Sequence, residues 1–161
     1  MGEIILKKYR GKKRYFRHLW RETSAEQYDI DFGKVGWFDL WHIHLDVFGL
    51  GNQSVKIRRE HIKAQLALYQ SLLVKLGTIE KPYQSWIEFV SEDAGLDSIY
   101  IHTPNPNEDN FPLKIDNINW DCPIPKDFED LLNLNEFYVG HYKCESNNNY
   151  FIQSKNKGIS L

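Results

Sequence analysis

Hydrophobic and polar positions change rhythm along this 161-residue chain. In "VKIRREHIKAQLALYQSLLVKLG", Ile62, Leu66, Tyr69, Leu73 and Leu76 recur every three to four residues. That spacing lines them along one side of an α-helix. Asn52 or Ser54 in "GLGNQS" can cap its start, and Gly77 is a natural stop. Elsewhere the period is two, as in strands whose side chains point alternately to opposite faces. "YDIDF" alternates, Gly33-Lys34 reads as a turn, and "GWFDLWHIHLDVF" alternates again. Trp37, Trp41, Ile43, Leu45 and Val47 then share one face, expected in the core, and Leu40, His42, His44 and Asp46 share the other. "YQSWIEFV" and "SIYIHT", joined by "SEDAGLD", read as an antiparallel hairpin. "EFYVGHYKC" and "NYFIQSK" read as a second hairpin around "ESNNN".

Punctuation fills in the rest. Pro104, Pro106 and Pro112 each remove a backbone donor, so "PNPNEDNFP" is a loop and not a strand interior. "PKDFEDLLNL" reads as a short helix over about 126–133, with Pro125 near its start and acids in its first turn. A short strand followed by a turn at Gly11 is expected at the N-terminus. No repeat or linker interrupts the chain. The pattern predicts a single domain over 1–161 of the α+β class: a mostly antiparallel sheet, with a long helix (about 55–76) and the short one packed on it.

Composition narrows the function classes. The formal net charge is −2, so the whole chain is neither a basic nucleic-acid binder nor an acidic disordered tail. No stretch approaches the roughly 20 apolar residues that span a membrane, and the N-terminal apolar run is too short for a signal peptide. Gly2 is not followed by Ser or Thr at position six, where Leu6 stands, so myristoylation is not expected. The expected location is cytoplasmic. Cys122 and Cys144 have no CxxC spacing, and whether they pair stays open. Gly49 and Gly51 form only a G-x-G turn, short of any phosphate-binding pattern. No nucleophile motif is present, and no cofactor is expected.

Three signals bear on chemistry. His42, His44 and Asp46 would project from one strand face about 7 Å apart in succession, as metal ligands or as the polar side of a half-buried strand. His102, at the end of "SIYIHT", is either a catalytic base or a structural residue bonded to the loop after it. Residues 1–21 carry Lys7, Lys8, Arg10, Lys12, Lys13, Arg14, Arg17 and Arg21 against Glu3 alone, interleaved with Tyr9, Tyr15, Phe16 and Trp20. That stretch reads either as a charged edge strand or as a nucleic-acid-binding segment. From Ser91 to Glu136 the balance reverses. Glu92, Asp93, Asp97, Glu108, Asp109, Asp116, Asp121, Asp127, Glu129, Asp130 and Glu136 face only Lys114 and Lys126. Phe111 and Trp120 lie among these acids. Acids around aromatic anchors suit a basic protein partner.

Two resemblances follow from these residues. The H-x-H pair resembles the metal-binding pair of JAMM-type metalloisopeptidases, which follow it with Ser-x-x-Asp. Here Ser54 is suitably placed, but Ile57 stands where the third ligand belongs. By size, expected architecture and acidic half, the whole chain resembles the immunity proteins of bacterial polymorphic-toxin systems of the contact-dependent inhibition type. That resemblance implies a protein without catalysis that binds and neutralises a cognate, basic, nuclease-like toxin domain. The expected contact residues are Glu92, Asp93, Asp97, Glu108, Asp109, Phe111, Asp116 and Trp120, with no metal, no membrane and no nucleic acid involved. The alternatives are a metal-dependent hydrolase built on His42, His44 and Asp46, and a nucleic-acid-binding module built on the N-terminus. Oligomeric state is not encoded in any motif.

Overall fold

The computed structural model describes residues 12–31, 36–41, 55–90, 97–128, 130–144 and 147–155, together with Ile159 and Leu161. It is α+β. Helix α1 (Lys12–Arg21) precedes strand β1 (Gly36–Trp41), and the long helix α2 (Val55–Leu76) follows. Strands β2 (Gln84–Val90), β3 (Ser98–Thr103), β4 (Phe137–Cys144) and β5 (Asn147–Ser154) complete one antiparallel sheet of order β1-β3-β2-β5-β4. Both expected hairpins are present: β2 pairs with β3, and β4 with β5.

The register fixes which side chains meet α2. Ile87 pairs with Ile99 and with Ile152, and Val139 pairs with Ile152. These, with Phe89, Ile101 and Phe137, pack against Ile62, Leu66, Tyr69, Leu72, Leu73 and Leu76 of α2. Burying the α2 stripe against this face is the main apolar contribution to the fold, since each fully buried aliphatic side chain contributes about 1.5–3 kcal/mol. Tyr69 adds a directional tie. Its hydroxyl donates to the Ser85 carbonyl at 2.9 Å and accepts from the Ser154 amide at 3.3 Å, so one side chain links α2 to β2 and β5.

Three expectations are corrected. Residues 12–21 are a helix and not part of a strand. Phe16 and Leu19 are three apart, a helical spacing, and Leu19 is fully buried. The Gly11 turn lies outside the described residues. The expected helix over 126–133 shrinks to one 3₁₀ turn, Lys126–Phe128, and Asp130 follows with a positive φ of 62° that ends any helical run. Trp37 does not join the core under α2. It is 46 % exposed and lies on the opposite, outer face of the sheet.

Burial pushes the Tyr69 phenol up to about 12, against the opposing pull of its bonds to Ser85 and Ser154. The unfolded phenol ionises near 10 while the folded one stays neutral. The unfolded state therefore holds fewer protons across this window, and stability falls as pH rises through it, by on the order of 2–3 kcal/mol. Chemical denaturation between pH 9 and about 12 should show that loss, and Tyr69→Phe should flatten it while costing about 1 kcal/mol at neutral pH. An unchanged alkaline slope in the variant would show that Tyr69 is not its source.

Candidate interaction surface on the outer face

Among the described residues there is one long helix, α2, and the outer face of the sheet is crossed by chain without regular structure. The outer side chains alternate with the core ones: Trp37 and Gln84 oppose His102, Trp86 opposes Tyr100, and Tyr138 opposes Gln153. Trp86 stacks on Tyr100 with ring centres 5.2 Å apart, and Trp37 packs against Trp86, Tyr100 and His102 at 5.5, 5.9 and 4.5 Å. Residues 104–121 cross this face as a strap from β3 to the β4 edge.

Each anchor of the strap is a specific contact. Phe111 meets His102 edge-on at 5.4 Å. The buried Gln84 side chain then clasps Leu113: its Nε2 donates to the Leu113 carbonyl at 3.0 Å, and its Oε1 accepts from the Leu113 amide at 2.7 Å. A side-chain amide thereby supplies the pairing that a neighbouring strand would have given. Ile118 and Trp120 seat on Gly140, where an added Cβ would come within 2.4 Å of Ile118 Cγ2 and 2.8 Å of the Trp120 ring. Asn119 exchanges both backbone hydrogen bonds with His141, at 2.8 and 2.9 Å, so the strap pairs with the edge of β4. The chain then turns to the helix side, where Phe128 packs against Phe89 at 5.1 Å.

The C-terminal residues are held by the same device. Gln153, 2 % exposed, donates to the Ile159 carbonyl and accepts from the Leu161 amide, both at 3.2 Å. Between this segment and the strap lies a pocket of about 200 Å³, lined by Trp120, Tyr138, Gln153 and Leu161. Trp120 and Tyr138 meet edge to face at 6.2 Å and stay 36 % and 45 % exposed. Lys155 Nζ already sits 5.1 Å over the Tyr138 ring.

The expected contact residues divide under this geometry. Glu108, Asp109 and Asp116 are exposed on the strap, and Asp121 beside Trp120 joins them. Trp120 borders the pocket. Phe111 is partly buried and serves as an internal anchor of the strap. Asp97 does not belong to this surface: it is 1 % exposed, and its Oδ2 accepts from Arg58 Nη1 at 2.7 Å. A carboxylate withdrawn from water needs such a partner, and this pair ties α2 to the start of β3. Glu92 and Asp93 lie outside the described residues, as do His42, His44 and Asp46. Among the described residues no group of three or more His, Cys, Asp or Glu side chains could hold a metal ion.

His102 is 2 % exposed. Burial lowers its pKa, against the opposing effects of the Glu108 charge and a hydrogen bond to the Asn110 side chain, and the ring packs between Trp37 and Phe111. Cys122 is a free thiol, pushed up by burial and directed at the Val139 carbonyl. Sequence reasoning missed Tyr138, Gln153 and Leu161. Tyr138 and Gln153 occupied the outer positions of alternating strands, which was the one signal pointing to them. No helix among the described residues is long and apolar enough to cross a membrane. No protein-family model, curated protein or solved structure matches the chain.

Gly140 is the seat of Trp120, so Gly140→Ala tests the assembly of this surface. The variant should lose about 1–3 kcal/mol in chemical denaturation, through overpacking, and should make a strap cut by protease more readily. Equal stability and equal resistance to cleavage would show that the strap does not depend on that contact.

Proposed function

We propose that this protein is an immunity-type inhibitor that binds a basic, nuclease-like toxin domain through the strap and neutralises it. The observation that carries this reading is the exposed Trp120–Tyr138 pair around a small pocket, with Glu108, Asp109, Asp116 and Asp121 exposed on the same strap. Carboxylates spread over a rim raise the encounter rate with a cationic surface. Half-exposed aromatic rings in a pocket supply the desolvated contacts that slow dissociation. The Gln84 clasp and the Gly140 seat fasten the strap before binding, which lowers the ordering cost of association. A partner arginine or lysine entering the pocket would meet the exposed part of the Trp120 ring, and such a cation–π contact gains from being removed from water.

Charge and anchor are separable in one experiment. If a large secreted protein is encoded immediately upstream of the gene, its C-terminal domain is co-expressed with this protein, and growth rescue and binding kinetics at two salt concentrations are measured. Wild type should rescue growth. Glu108→Lys, Asp109→Lys and Asp116→Lys together should slow association, most strongly at low salt. Trp120→Ala should instead speed dissociation, at a cost of about 2 kcal/mol or more. A wild-type protein that neither rescues nor binds refutes the inhibitor reading. Binding with an unchanged association rate in the triple variant would place the interface elsewhere.

A further inference from the structure

Helix α1 has a second charged surface of opposite sign. An open groove of about 690 Å³ runs along it, lined by Lys13, Phe16, Arg17, Trp20 and Arg21. Lys13, Arg17 and Arg21 are four residues apart and exposed, so they form one row of cations rising about 6 Å at each step. None of the three is in an ion pair among the described residues. The protective role expected of these charges on an edge strand does not apply, because residues 12–21 are helical. Trp20 flanks the row at 39 % exposure, and its Nε1–H donates to Glu60 Oε1 of α2 at 2.6 Å. The ring is therefore fixed in orientation while much of it remains open.

Cations in a row beside an oriented, open aromatic ring are the two parts that hold a single-stranded phosphodiester chain: phosphates track the charges and a base stacks on the ring. We propose that α1 binds single-stranded nucleic acid, with Lys13, Arg17 and Arg21 on successive phosphates and Trp20 as the stacking platform. An anionic bilayer is the weaker match. A membrane-surface helix needs its apolar side free, whereas Leu19 is fully buried against the protein and Trp20 is tied to α2. A duplex is also a poor match, since its bases are already stacked and offer Trp20 no free face.

The test is fluorescence anisotropy with a labelled oligouridylate RNA, the matching oligothymidylate DNA, a duplex of equal length, and vesicles of phosphatidylserine with phosphatidylcholine. The intact chain is expected to bind one or both single strands, with affinity falling as salt rises, and the tighter of the two identifies the natural polymer. Arg17→Glu with Arg21→Glu, both exposed and replaceable without disturbing the core, should weaken binding about tenfold or more. Trp20→Ala should weaken it about tenfold, and Trp20→Phe, which keeps an aromatic face, should recover most of the loss. Circular dichroism confirms that each variant is folded, and if Trp20→Ala is not, the charge reversal and Trp20→Phe decide. No single-strand binding, binding untouched by the charge reversal, or capture only by the duplex or the vesicles would overturn the proposal.

Discussion

Two buried glutamines close the second face of the sheet, and the candidate surface depends on them. Irregular chain laid over a sheet brings backbone N–H and C=O groups out of water with no strand to pair them, and each unpaired group is costly. Gln84 and Gln153 each offer one acceptor and one donor, which is what a passing peptide needs. Gln84 clasps the strap at Leu113, and Gln153 clasps the C-terminal residues. With both in place, ordinary loop sequence becomes a second layer, and its acidic side chains are left pointing at solvent.

The strap is also coupled to the core. Beyond Trp120 it pairs through Asn119 with the edge of β4, which removes part of an open edge that would otherwise invite pairing with another chain. It then passes to the helix side and delivers Phe128 against Phe89. Arg59 of α2 donates to the Lys126 carbonyl at 2.9 Å, fastening this last turn to the long helix. A surface anchored at both ends in buried contacts is stiffer than a loop of the same length, and stiffness is what a fast, tight binding surface requires.

Much of the architecture was legible in the chain because one period dominates each element. Helix α2 and both hairpins follow directly from hydrophobic spacing. What alternation does not contain is which face of a strand meets the helix, since both faces of this sheet are covered. Trp37 was therefore assigned to the wrong layer. Gln84 and Gln153 were illegible as clasps because a polar residue at an alternate position looks the same whether it meets water or a peptide. Among the acids, Glu108, Asp109 and Asp116 are exposed as a charged loop implies. Asp97 is buried because Arg58, 39 positions earlier in the chain, reaches it in space, a pairing no local pattern contains. The helix α1 was obscured by its dense basic and aromatic composition, although Phe16 and Leu19 already carried the helical spacing.

The central claim is that the strap is the binding surface and moves little on binding. Hydrogen–deuterium exchange, followed with and without the proposed basic toxin domain, tests it most directly. The expected result is slow exchange near Leu113 in the free protein and added protection on binding confined to residues 105–121 and the neighbouring part of β4. Fast exchange near Leu113 in the free protein, or protection appearing on α1 or α2 with the strap unchanged, would contradict it.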